Sequence, residues 1–165
     1  TNRDGIQEDP TRRTSGTILE DKSIETKISV NLKAEDIAFR DARLNVTSHN
    51  GVVLVVGQIE SENLKLKATD IILKASAKIK RIHNEIEIGT KTGLISQGND
   101  TWIATKVRAS LLADDGVPSD QVKVVVENGT VYLMGIISEE EGDNAANLAR
   151  NISGVIRVMK VFDYI

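Results

Sequence analysis

The dipeptide Asn-Gly, set between alternating apolar runs, restricts the fold of this chain more than any other feature, and it occurs twice. In Asn128-Gly129-Thr130-Val131-Tyr132-Leu133-Met134-Gly135 it predicts a two-residue β-hairpin. Both central residues of a type I′ turn need positive φ, which Asn and Gly tolerate best. That register sets Val126 against Val131, Val124 against Leu133 and Val122 against Gly135. Side chains alternate along a strand, so these six share one face, predicted to be core. Lys123, Val125, Glu127, Thr130, Tyr132 and Met134 share the other, predicted to be half wet. Asn50-Gly51-Val52-Val53-Leu54-Val55-Val56-Gly57 repeats the device, with Ser48 opposite Val53, Val46 opposite Val55 and Leu44 opposite Gly57. In both copies a second Gly follows six residues after the turn Gly. Two copies of one hairpin predict a duplicated unit.

The flanking segments repeat in the same order. Residues 21–32 predict a helix, with Asp21 as N-cap and Ile24, Ile28 and Leu32 on its buried face. A charged loop over 33–43 leads to the first hairpin. Ser61 then caps a helix whose buried stripe is Leu64, Ala68, Ile71, Ile72 and Ala75. Ile82, Asn84, Ile86 and Ile88 mark a closing strand. After a Gly-, Ser- and Thr-rich stretch comes a helix with Ile103, Val107 and Leu111 buried, then a hairpin over 122–137. A helix over 138–151 follows, ended by Ser153-Gly154, and then a last strand over 155–164. Thr26-Lys27-Ile28 and Thr105-Lys106-Val107 stand 79 residues apart, Gly51 and Gly129 78 apart, Ile82 and Val158 76 apart. Loop insertions and deletions between duplicated units account for that drift.

The predicted organisation is a flexible tether over 1–19, a first unit over 20–89, a linker over 90–98 and a second unit over 99–165. The tether is expected to turn at Asp9-Pro10 and to carry Arg12-Arg13 as a solvated pair. The predicted fold class is α+β. Each tandem αββαβ unit is a two-layer sandwich, a three-stranded mixed sheet with two helices on one face. In the first unit the outer sheet face holds Val52, Leu54 and Val56, too apolar for open water. It is expected to be covered by the other unit or the linker.

Composition narrows function. Aromatic residues make up 3% of the 165, so the core is aliphatic. Net charge is −3, and no segment is strongly basic, which argues against broad nucleic-acid binding. There is no cysteine, which removes disulfides and thiolate chemistry. No apolar run approaches the roughly 20 residues of a membrane span. His49 and His83 have no carboxylate at ligand spacing, so no metal site and no cofactor are expected. Ser48, His49 and Asp41 do not make a triad, because Ser48 points to the core and no nucleophile elbow exists. Phosphate-cradling Gly loops are absent, and no catalysis is expected. Glu139-Glu140-Glu141 reads as a helix N-terminus complementing its dipole.

Helix, strand–Asn-Gly–x-Val-x-Leu-x-Gly, helix, then Ser-Gly-Val-x-x-Val is a pattern that resembles the BON domain. Residues 124–135 match it, as do Ser153-Gly154-Val155-Ile156-Arg157-Val158; the first unit matches in its hairpin but carries Lys78 where the family has Gly. The resemblance spans 20–165. The tandem is similar to the dual BON-domain periplasmic and outer-membrane lipoprotein family, through Asn99-Asp100-Thr101-Trp102-Ile103, Lys106-Val107-Arg108 and Asp9-Pro10-Thr11-Arg12. It implies a periplasmic, non-enzymatic protein that supports envelope integrity. It also implies an outer-membrane anchor on a lipidated cysteine upstream of Thr1. The implied partners are anionic phospholipid and envelope or division-site proteins, not nucleic acid.

Trp102 lies one position off the Ile103/Val107/Leu111 stripe, at the edge of the buried face or outside it, with Lys106 one turn along. Periodicity leaves two readings open: a membrane-interface indole beside a cation, or a Trp packed at the linker or domain interface. The resemblance favours lipid, and implies contact through Trp102, Lys106, Arg108 and Leu112, with Val117 added from the following loop. Residues 99–165 carry 6 basic and 10 acidic residues, so docking there must be local and insertion-driven. The alternative is a protein-interaction adaptor, using the same helix or the basic face of Lys65, Lys67, Lys74 and Lys78.

Overall fold

The computed structural model describes residues 5–165; the first four residues of the expected tether lie outside them. The elements run α1 (Ser15–Glu35), α2 (Ile37–Asp41), β1 (Leu44–His49), β2 (Val52–Ile59), α3 (Glu62–Ala75) and β3 (Arg81–Ile88). Then come α4 (Leu94–Ala113), a 3-10 turn at Ser119–Gln121, β4 (Lys123–Glu127), β5 (Thr130–Ile137), α5 (Glu139–Arg150) and β6 (Arg157–Tyr164). The chain forms two compact units. One is residues 17–100; the other is residues 101–165 with the N-terminal segment ending at Gly16. Each has a three-stranded mixed sheet, ordered β1-β2-β3 and β4-β5-β6, its hairpin antiparallel and its last strand parallel to the central one. This is the expected α+β tandem.

Turn chemistry sets the register. Asn50, Gly51, Asn128 and Gly129 all have positive φ, as a type I′ turn demands. Ser48 faces Val53, Val46 faces Val55 and Leu44 faces Gly57. In the second hairpin Val126 faces Val131 and Val124 faces Leu133. The ladder stops there: β4 begins at Lys123, so the expected Val122–Gly135 pair does not form. A Cβ on Gly135 would collide with the Gln121 carbonyl oxygen, and one on Gly57 with that of Arg43. The second glycine of each copy therefore lets one backbone pass close against another.

The helix layers pack on one sheet face. Ile24, Ile28, Leu32, Phe39, Val53 and Ile72 centre the first core, and Ile103, Val107, Leu111, Val131, Leu133 and Ala146 the second. Val52, Leu54 and Val56 on the opposite face of β2 are also buried, and the linker's Thr92 N–H donates to Gln58 Oε1 at 3.0 Å. The outer face of the second sheet is drier than expected: Lys123 at its end is exposed, but Val125, Glu127, Thr130, Tyr132 and Met134 are all buried. Polarity does not report exposure where polar groups are satisfied, and Glu127 and Tyr132 both keep partners.

Several local expectations are corrected. Asp21 is not an N-cap, because α1 already starts at Ser15, inside the expected tether. It sits buried on α1, and its carboxylate accepts from Ser48 Oγ (2.8 Å), Asn50 N (2.7 Å) and Gly51 N (2.9 Å). The charged loop contains α2, capped by Asp36, whose Oδ1 accepts from Ala38 N at 3.0 Å. One turn of helix is too short to show a period. The linker is helical from Leu94, held at its start by Gln97 N to Gly93 O and Gln97 Nε2 to Thr92 O. Lys78 N donates to Ser76 Oγ at 3.1 Å, and Lys78 is not among the described positive-φ residues; the turn there needs no glycine. Arg12 is paired rather than merely solvated, with Asp9 at 3.4 Å and Asp120 at 2.5 Å. The expected Asp9 turn is present, with Arg12 N on Asp9 O and Thr11 N on Asp9 Oδ1. Ser61 caps α3 as expected, and Ser138, read only as the first residue of its helix, caps α5 in a capping box with Glu141.

Candidate functional site

The site is built on the part of α4 that belongs to the second unit. Ile103, Val107 and Leu111 recur every four residues and bury one stripe. What lies off that stripe is turned outward by the roughly 100° step between residues. Trp102 is therefore 62% exposed and Leu112 77% exposed. Ala109 lies between them on the exposed side, and Ala113, next after Leu112, is exposed as well. Lys106 and Arg108 are two positions apart, about 200° around the helix, so the cations stand on opposite flanks of this band.

Both cations are tied down by main-chain oxygens of their own unit. Lys106 Nζ donates to Ser153 O at 3.2 Å and stands 5.6 Å from the centroid of the Trp102 ring, within cation–π range. Arg108 Nη2 donates to Val124 O at 3.2 Å. The indole is thus held between solvent and a fixed ammonium. An aromatic ring with an adjacent cation is what a phospholipid surface accepts: the ring at headgroup depth, the ammonium at a phosphate.

Val117 does not belong to this surface. It is 6% exposed and packs in the second core. Being apolar and next to Pro118 it reads as a loop-tip residue, but the loop folds inward on it. At the C-terminal end of α4, Asp114 Oδ1 accepts from Gly116 N at 2.8 Å, and Asp115 is exposed. These carboxylates oppose an anionic surface near Leu112, so the favourable end is that of Trp102 and Lys106.

One exposed apolar residue, three positions after the Ser153 that Lys106 holds, is quoted in the sequence reading within its motif but assigned to no site. Ile156 is 80% exposed and lies over the Asn128–Gly129 turn. Alternation places it in the last strand, yet β6 begins one residue later, at Arg157. The available signal is the internal repeat, which sets Lys80 at the matching position of the first unit.

A BON-domain family profile matches residues 20–90 and again 99–165. The 21 kDa hemolysin of Actinobacillus pleuropneumoniae is 37% identical, over 93% of this chain and 78% of its own length. The outer membrane lipoprotein DolP of Haemophilus influenzae is 33% identical, over 93% of this chain and 79% of its own. Osmotically-inducible protein Y of Escherichia coli is 27% identical, over 92% and 76% respectively. With two profile matches covering most of its length and a fold of two αββαβ sandwiches, this chain belongs to the BON-domain family, as a tandem of two such domains.

Proposed function

We propose that this chain is a non-catalytic envelope protein that docks peripherally on anionic phospholipid through the Trp102 end of α4. The observation that carries the reading is the exposed indole with Lys106 fixed 5.6 Å from its ring centroid. A free Trp on a soluble face is costly to leave wet, and interfacial burial of the ring recovers that cost. A relative named an outer membrane lipoprotein supports the envelope setting. Arg108 and Leu112 extend the same face, while Val117 takes no part.

The test is emission of the single tryptophan on mixing with phosphatidylglycerol vesicles. A blue shift that phosphatidylcholine does not produce, and vesicle binding lost in Trp102→Ala with the fold retained, is the expected outcome. No shift in the wild type refutes the reading.

One observation favours the adaptor alternative. Between α1 and α3 lies a cleft of about 420 Å³, lined by Asn31, Glu35, Lys67, Ile71 and Lys74 among others, with Leu66 and Leu73 exposed on α3. Lys67 there is already paired with Asp36 at 3.4 Å, so the basic face is partly neutralised. A protein ligand displaced by Leu66→Asp and Leu73→Asp, with vesicle binding absent, would select it.

A further inference from the structure

The two halves share one frame, so each serves as a control for the other. Asp21 corresponds to Asp100, Ile24, Ile28 and Leu32 to Ile103, Val107 and Leu111, and Gly51 to Gly129. In each half the residue that leads into the last strand donates its N–H to the carbonyl of the turn glycine. Lys80 N reaches Gly51 O at 2.8 Å, and Ile156 N reaches Gly129 O at 2.9 Å. In each half its side chain also lies over that glycine. A Cβ on Gly51 would come 3.1 Å from Lys80 Cγ, and one on Gly129 2.8 Å from Ile156 Cδ1. The two positions are structurally equivalent, and the frame accepts a lysine there. It therefore does not require the isoleucine, which at 80% exposure contributes little to folding.

The same frame sets Ser23 opposite Trp102. Two positions that are polar in the first half are apolar and exposed in the second. They are also joined. Lys106, one turn along from Trp102, holds Ser153 O at 3.2 Å, and a Cβ on Gly154 would come 3.2 Å from Ile103 Cδ1. The four residues from Ser153 to Ile156 are thus anchored on α4 at one end and on the hairpin turn at the other. An exposed indole and an exposed isoleucine are thus linked through Lys106 and the Ser153–Ile156 segment, and two apolar groups with a cation between them complement an acyl interior beneath anionic headgroups.

We propose that Ile156 is a second insertion point of the docking surface, entering an anionic phospholipid bilayer together with Trp102. Ile156 goes among the acyl chains while Lys106 meets phosphate. The inference rests on the docking reading above.

The test is co-sedimentation of the full chain with phosphatidylglycerol vesicles, for the wild type, Trp102→Ala and Ile156→Asn. Ile156→Asn replaces an exposed side chain by another, so its thermal midpoint should match the wild type. Its partition should fall about five- to tenfold, as expected for losing a half-inserted aliphatic group. A gain-of-signal variant complements it: Ile156→Trp in a Trp102→Phe chain carries its only indole at the proposed point. Its emission should shift blue, and bromine-labelled acyl chains should quench it. If Ile156→Asn partitions like the wild type and that indole stays unquenched, the inference is overturned; wild-type binding lost in Trp102→Ala would leave the α4 reading standing. If the wild type does not sediment with vesicles, both fall. Loss of a protein contact with vesicle partition unchanged would assign the surface to a protein partner and overturn it as well.

Discussion

At the scale of single residues, Asp21 fixes the first hairpin to its helix. It is 1% exposed, and three donors from β1 and the turn converge on its carboxylate. Asp21→Ala would leave Ser48 Oγ and the Gly51 N–H buried, and the Asn50 N–H half-buried, without that acceptor. The expected loss is about 3 kcal/mol, read from the urea midpoint. Gly57→Ala acts through backbone rather than polarity: the new Cβ meets the Arg43 carbonyl at a φ of +132°. It should destabilise by about 2–4 kcal/mol and loosen the β1–β2 pairing, visible as faster amide exchange at its strand ends. The two residues differ in how far the sequence exposes them. The Asn-Gly turns are legible because their chemistry is local. Asp21 is not, because its partners lie 27 to 30 residues further on and only the fold brings them near. Val117 misleads for a related reason, since an apolar loop residue can face either way and the sequence does not say which.

At the scale of elements, α1 and α4 are readable in their middles and unreadable at their starts, whereas Ser61 announces α3. The period of Ile24–Ile28–Leu32 and of Ile103–Val107–Leu111 reports burial, and it placed Trp102 correctly off the buried stripe. The added turns at Ser15 and Leu94 bury little: Leu19, Leu94 and Ile95 are exposed, so no apolar pattern announces them. α2 depends on its cap instead. The Ala38 N–H holds the Asp36 carboxyl below the usual carboxylate value, with help from the Lys67 cation. A carboxyl whose folded pKa is depressed stabilises above its unfolded pKa and loses that contribution as pH falls through the folded value. The thermal midpoint of the wild type should therefore exceed that of Asp36→Ala at pH 7. The gap should narrow as pH drops below the ordinary carboxylate value of 3.8.

At the scale of the whole molecule, charge and surface chemistry point to different dependences. The net charge is −3, so no long-range field draws this chain to an anionic membrane. Binding through Trp102 and Ile156 should be short-ranged. Raising salt from about 0.1 to about 0.5 M should weaken phosphatidylglycerol partition by less than about fivefold, whereas a polybasic surface would lose far more. Sedimentation at the two salt concentrations reads this directly. The duplicated frame has one further consequence. Because it carries serine or tryptophan, lysine or isoleucine, at matched positions without altering its hairpin, adhesion is a transplantable trait rather than a property of the sandwich. Silencing the second copy with Trp102→Ala and Ile156→Asn, then installing Ser23→Trp and Lys80→Ile in the first, should hand the grip to the opposite twin.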